Sequence, residues 1–179
     1  MTPTRRLFFA LSLPDDIGRQ IVHWRAAQFS PEAGRPVAAA NLHLTLAFLG
    51  EISDAKMQAL TALAGRIRQS AFTLNLNDAG HWPRPGVVWL GCRQAPRGLL
   101  QLADMLRSQA ARNGCYQPPQ PFHPHITLLR GATRPLPLPL PAATFNWTVS
   151  VEQFFLYESR TEAGRTHYQP IAHWPLPTL

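Results

Sequence analysis

Cysteine is almost missing from this chain. Cys92 and Cys115 are the two present, far apart and in no C-x-x-C. That excludes a disulfide scaffold and a cysteine-based zinc site. Both read as plain buried thiols of a reducing compartment. Charge is scarce too, at 15% of residues, where about a quarter is usual. Acid is the scarcer sign: 10 Asp and Glu stand against 17 Lys and Arg, a net charge of +7. A basic excess favours a polyanion, a phosphate ester or an anionic surface as partner. Nearly all the cations are arginine, which suits planar, bidentate contacts to phosphate or carboxylate. Long apolar runs are missing as well, and none approaches the about 18 residues of a membrane-spanning helix. Arg5 and Arg6 ahead of Leu7 to Leu13 imitate a signal peptide. The apolar stretch before Ala10-Leu11-Ser12 is too short against the about 7–15 residues such a segment needs. It reads as a buried first strand, and the protein as soluble and cytoplasmic.

What is abundant is apolar residues, 45% of 179, and proline, with 18. The first supplies a core for one domain or for two small lobes sharing one. The second predicts many turns and extended connections.

Periodicity predicts an α+β fold. Arg6 to Ser12 is a strand. Pro14-Asp15-Asp16 opens a helix, with Ile17, Ile21 and Trp24 on its apolar face. Leu42 to Leu49 is a second strand. Ser53 caps a helix carrying Met57, Leu60, Ala64 and Ile67 at helical spacing. Phe72 to Leu76 and Val87 to Leu90 are short strands around a Gly/Pro-rich turn. Leu99, Leu102, Leu106 and Ala110 mark a helix from Arg97 to Arg112, stopped at Asn113-Gly114. Phe122 to Leu129, Thr144 to Val151, Gln153 to Tyr157 and Thr166 to Ile171 are strands. The tract Arg134 to Pro141 alternates proline and leucine and reads as a stiff surface loop.

Two segments repeat. His43-Leu44-Thr45-Leu46 and His125-Ile126-Thr127-Leu128 both read H-x-T-L inside an apolar strand, close to half a chain apart. On a strand, His and Thr share one face about 7 Å apart, while the intervening residues fill the other. Each segment therefore presents an imidazole and a hydroxyl while anchoring itself in the core. The spacing implies two lobes related by a pseudo-twofold axis, each with one motif, with antiparallel sheets lining a central cleft and helices outside. Two convergent histidines suit in-line displacement at phosphorus, which needs a base for the entering oxygen and an acid for the leaving one. The hydroxyls can donate to the non-bridging oxygens as charge builds.

At these residues the chain resembles the 2H phosphoesterases, and within them the bacterial RNA 2',3'-cyclic phosphodiesterases, also called 2'-5' RNA ligase or LigT-type proteins. The resemblance spans residues 1–179 as one bilobal domain. It includes Arg6-Leu7-Phe8-Phe9-Ala10, Ala47-Phe48-Leu49-Gly50 after the first motif, Phe122-His123-Pro124 before the second, and Phe155-Leu156-Tyr157-Glu158-Ser159. It implies hydrolysis of RNA 2',3'-cyclic phosphate ends to 2'-phosphate ends, without metal or cofactor, and reversible 2'-5' ligation as a related activity. His43 would protonate the leaving O3' and His125 would activate water. Thr45 and Thr127 would hold the phosphate, with Arg130 contacting it. RNA ends or nucleotides are the implied partners of a monomer that needs no protein partner or membrane.

Several alternatives stay open at this level. His123 lies on the His125 face but lacks a threonine two residues on. His43, His123 and His125 could form a three-histidine zinc site, though no carboxylate or cysteine nearby supports it. Strict alternation turns Arg130 away from Thr127, so its role requires the strand to end or bend. Phe9 and Phe48 could stack on a base or simply fill the core. His23, His81, His167 and His173 read as structural or surface residues, and Tyr157 and Ser159 as sheet-closing ones, though either could line the cleft. A non-catalytic protein binding RNA ends or nucleotides is the competing function, and an adaptor working through the proline tract ranks below it.

Overall fold

The computed structural model describes residues 3–136 and 145–178. The part of the proline tract beyond Leu136, and Thr144, lie outside the described residues.

The first half alternates strands and helices. Strand β1 (Thr4–Ser12) leads through Pro14 into α1 (Asp15–Gln28), whose first turn carries Asp15 and Asp16. A two-residue strand β2 (Arg35–Pro36) and a 3-10 turn (Ala39–Asn41) precede β3 (His43–Ser53). Ser53 then caps α2 (Asp54–Ala64), its hydroxyl accepting from the Lys56 amide at 3.3 Å. Strands β4 (Phe72–Leu76), β5 (Asp78–Trp82) and β6 (Val87–Gly91) come next. Helix α3 (Arg97–Arg112) buries Leu99, Leu102, Ala103, Leu106 and Ala110 on one stripe. Each fully buried leucine is worth about 1.5–3 kcal/mol over an exposed one, so that stripe alone seats the helix. Strands β7 (His125–Arg130), β8 (Trp147–Val151), β9 (Gln153–Glu162) and β10 (Arg165–Pro175) complete the chain. No described helix is long and apolar enough to cross a membrane.

All pairings are antiparallel. The main sheet runs β10-β9-β1-β3-β7-β6-β5, with β2 added on β7, and β4 pairs β8 separately. One face of the main sheet carries Leu7, Phe9, Leu11, Leu44, Leu46, Val88, Leu90, Ile126 and Leu128 into a core shared with the helices. The expected α+β architecture of antiparallel sheets is present, and the sheet that carries both motifs runs continuously through two halves. The halves meet where Leu44 pairs with Ile126.

Four elements differ from the sequence reading. Strand β7 begins at His125 rather than Phe122, because Pro118, Pro119, Pro121 and Pro124 lack amide donors for a ladder. Helix α2 stops at Ala64, so Ile67 packs on the core from beyond the helix. Strands β9 and β10 run further than their apolar alternation, to a turn at Ala163-Gly164 where both residues take positive φ. Strand β5 was hidden, since Asp78-Ala79-Gly80-His81 has the composition of a turn. Its tertiary reason is Gly80, which pairs with Trp89 and lies directly beneath the indole. A Cβ there would overlap the ring atoms of Trp89. Gly80→Ala should therefore cost about 1–3 kcal/mol through overpacking. The check is thermal unfolding, where Tm should fall by about 2–4 °C per kcal/mol; an unchanged Tm would contradict this packing.

Candidate active site

The junction of the two half-sheets places the motifs. An antiparallel pair has a local twofold axis through its midpoint. With Leu44 opposite Ile126, the register sets His43 opposite Thr127 and Thr45 opposite His125. Directly opposed residues on such a pair are about 4.5–5.5 Å apart at Cα. The two imidazoles and two hydroxyls thus share one face of the sheet, while Leu44 and Ile126 are buried on the other.

Immediately after each motif threonine the strand carries an extra residue. Thr45 pairs with Ala10 and Ala47 with Phe9, leaving Leu46 unmatched. Thr127 pairs with Trp89 and Leu129 with Val88, leaving Leu128 unmatched. These β-bulges send two consecutive side chains inward, Leu46 with Ala47 and Leu128 with Leu129, all four buried. The residue that follows returns to the site face. Phe48 and Arg130 occupy these matched positions, and both line the cavity that contains His43 and Thr45. The bulge is the bend that strict alternation lacked. The Leu128 carbonyl accepts from the Val37 amide at 3.0 Å and from the buried Arg25 guanidinium at 3.2 Å; Arg25 also donates to the Val37 carbonyl at 2.7 Å. A helix side chain thereby pins the bulge that aims Arg130.

The imidazoles are oriented alike. Nδ1 of His43 donates to the Asn41 carbonyl at 2.7 Å, and Nδ1 of His125 to the His123 carbonyl at 2.8 Å. A carbonyl can only accept, so both rings carry the neutral-state proton on Nδ1 and keep Nε2 for the cleft. The Thr45 hydroxyl lies 2.9 Å from Nε2 of His43 and donates to it while that ring is neutral. Phe8 and Tyr168, the latter in a T-shaped contact, hold the His43 ring, each with centroids at 4.9 Å. Trp82 holds His125 at 4.9 Å. His123 packs against Trp82 and Trp89 and serves the site through its backbone carbonyl.

Burial lowers the His43 pKa from 6.5 to about 4, opposed by the Asn41 carbonyl and reinforced by Arg130 and His125. Burial also lowers His125, again partly opposed by its carbonyl partner and reinforced by His123 and Arg130. Both rings are neutral in the empty cleft at pH 7. Burial raises the Cys92 and Cys115 thiols, which leaves neither a ready nucleophile. Among the described residues, no three His, Cys, Asp or Glu side chains are grouped so as to hold a metal ion.

The cavity over this face measures about 670 Å³. Its walls include Ser159, one of the two residues weighed for the cleft, and residues the sequence reading missed, notably Arg6, Phe8, Glu158 and Tyr168. Tyr168 and Thr166 come from the extended β9–β10 hairpin, which residue patterning did not resolve at full length. His125 and Thr127 adjoin this cavity across the Leu44–Ile126 pair rather than forming its wall. Phe48 is 43% exposed, with the Arg6 guanidinium stacked over its ring at 4.9 Å. Phe9, considered as a base-stacking ring, is 1% exposed and packs on Phe154 and Trp174. It belongs to the core, and its neighbour Phe8 is the ring on the site face. Tyr157 stacks on Phe8 at 5.5 Å, behind the His43 ring.

The lowered His43 pKa carries a stability signature. A histidine held neutral by folding binds fewer protons than its unfolded form, so its contribution is complete above pH 6.5 and is lost as pH falls towards about 4. The loss is about 3 kcal/mol at most. Urea unfolding from pH 7 to pH 4 should show this decline, and His43→Gln should flatten it, leaving the smaller part due to His125. An identical decline in the variant would contradict the buried neutral ring.

Residues 13–163 match the 2'-5' RNA ligase superfamily, and the chain belongs to that family. Among its relatives is the RNA 2',3'-cyclic phosphodiesterase of Escherichia coli (strain K12), 62% identical over 98% of this chain and 99% of that protein. The protein of the same name from Thermus thermophilus is 33% identical over 96% of this chain and 90% of that one. In three dimensions the chain is similar to E. coli LigT crystallised with 3'-AMP, with a TM-score of 0.93 and 62% identity over 97% of this chain and 98% of that one.

Proposed function

We propose that this chain is an RNA 2',3'-cyclic phosphodiesterase that leaves a 2'-phosphate end by a metal-free, two-histidine mechanism. The observation that carries the reading is the presentation of two imidazole Nε2 atoms about a local twofold axis, each ring fixed at Nδ1 by the carbonyl two residues earlier. The family membership and the named activity of the 62% identical E. coli relative support the substrate class.

In this mechanism the cyclic phosphate sits between the motifs. Thr45, Thr127 and Arg130 donate hydrogen bonds to its non-bridging oxygens as charge grows on them. Nε2 of His125 takes a proton from water, whose oxygen bonds to phosphorus. The P–O3' bond breaks, and O3' takes the proton from Nε2 of His43. Each proton transfer is worth about 10²–10⁴-fold. His43 is neutral in the empty cleft, so substrate must charge it. The phosphate anion does this in two ways: it favours the imidazolium directly, and it offsets the Arg130 charge that opposes protonation. A 5'-hydroxyl in place of water would give a 2'-5' linkage, so the same groups would serve ligation. Phe48, with Arg6 on its ring, serves as a platform for the terminal base.

The roles separate by leaving group. In EDTA, the parent should turn over a 2',3'-cyclic nucleotide. His43→Ala should lose turnover on that substrate by about 10²-fold or more, and recover on an ester whose leaving group needs no proton. His125→Ala should not recover. Recovery of His125→Ala alone would reverse the assignment. A parent that binds the cyclic nucleotide without turning it over would leave a binding protein in place of an enzyme.

A further inference from the structure

A second groove opens beside the first. It measures about 620 Å³ and shares Arg130, Thr166 and Tyr168 with the catalytic cavity. One wall is the segment around β2, and the other is the tip of the β9–β10 hairpin. The Asn41 side-chain amide donates to the Thr166 carbonyl at 2.9 Å and ties the walls together.

The two cavities differ in chemistry. The catalytic cavity mixes both signs, with Glu51 and Glu158 beside Arg5 and Arg6, and it carries several hydroxyls and aromatic rings. That suits a nucleoside, which offers donors, acceptors and a flat face. The second groove has Arg35, Arg130, Arg165 and His167 on its walls and no carboxylate. Among the described residues the ion pairs involve Arg5 and Arg160, so Arg35, Arg130 and Arg165 have no acidic partner. Like-charged guanidinium groups gathered on a tied frame repel one another unless an anion joins them. The side chains of Arg35, Arg165 and His167 are exposed and ready to do so.

A 2',3'-cyclic phosphate lies at the 3' end of its strand, so the rest of the RNA must leave the site through an opening next to the reacting phosphorus. The groove begins at Arg130, beside that position. We propose that it binds the internucleotide phosphates just upstream of the cyclic end, which makes an oligoribonucleotide, rather than a mononucleotide, the preferred substrate. This rests on the phosphodiesterase reading above.

The test compares kcat/KM for a 2',3'-cyclic mononucleotide with that for an oligoribonucleotide carrying the same cyclic 3' nucleoside. The proteins are the parent and Arg35→Gln/Arg165→Gln, with Tm confirming that the variant is folded. The parent should prefer the oligonucleotide. The variant should lose about tenfold on it and change less than about twofold on the mononucleotide, as for the loss of phosphate contacts alone. The slope of log affinity against log salt for the oligonucleotide should shrink by about 0.7 per contact removed. Equal losses on both substrates, or none on the oligonucleotide, would overturn the proposal. Fluorescence anisotropy of a labelled oligoribonucleotide with a 2'-phosphate end reads the groove without catalysis. Weaker binding by the variant supports the proposal and unchanged binding refutes it. A parent inactive on both substrates would instead refute the phosphodiesterase reading.

Discussion

Leu44 and Ile126 face each other where β3 meets β7, and the symmetry of the site follows from that contact. Shifting the register by one residue would bury the histidines and expose the leucines. The apolar side chains of Leu44, Leu46, Ile126 and Leu128 make such a slip costly, since all four are at most 1% exposed. Hydrophobic burial on one face thus sets the arrangement of imidazoles and hydroxyls on the other. The paired bulges extend the symmetry by three residues, to Phe48 and Arg130. There it stops being chemical: one half offers a ring and the other a cation. In the function proposed above, that asymmetry gives the two ends of a nucleotide, base and phosphate, different places to go.

Burial also sets the electrostatics. Rings packed on Phe8, Tyr168 and Trp82 resist protonation, and the nearby Arg130 adds to that resistance. Neutral imidazoles beside the Arg130 guanidinium are poised for an anion. In the mechanism proposed above, the charge needed by the acid arrives with the substrate rather than standing ready in the empty site.

Much of this was legible in the residues. The duplicated H-x-T-L pattern marked the two strands that pair at Leu44 and Ile126, and alternation assigned their faces. Helix spacing found α1 and α3, and Ser53 marked the start of α2. What stayed hidden depended on contacts distant in sequence. Arg130 faces the site through a bulge that exists only in pairing with β6, held by Arg25 from another element. Strand β5 is made by Trp89 lying over Gly80, and no local propensity announces it. Phe8 and Phe9 are chemically alike neighbours. Which of them meets the cleft depends on the phase of β1, which alternation could supply only once the sheet's inner face was known.

The central claim is that two imidazoles, each protonated on Nδ1, aim Nε2 at one phosphate. Nitrogen-15 NMR titration of the histidine rings, with and without a nucleoside 2'-phosphate, tests it directly. The account predicts that His43 and His125 are both Nδ1-protonated neutral rings at pH 7 in the free protein. It also predicts that both pKa values rise when the phosphate binds. A nucleotide that raises one histidine and leaves the other unmoved, or an Nε2-protonated neutral tautomer at either ring, would contradict it.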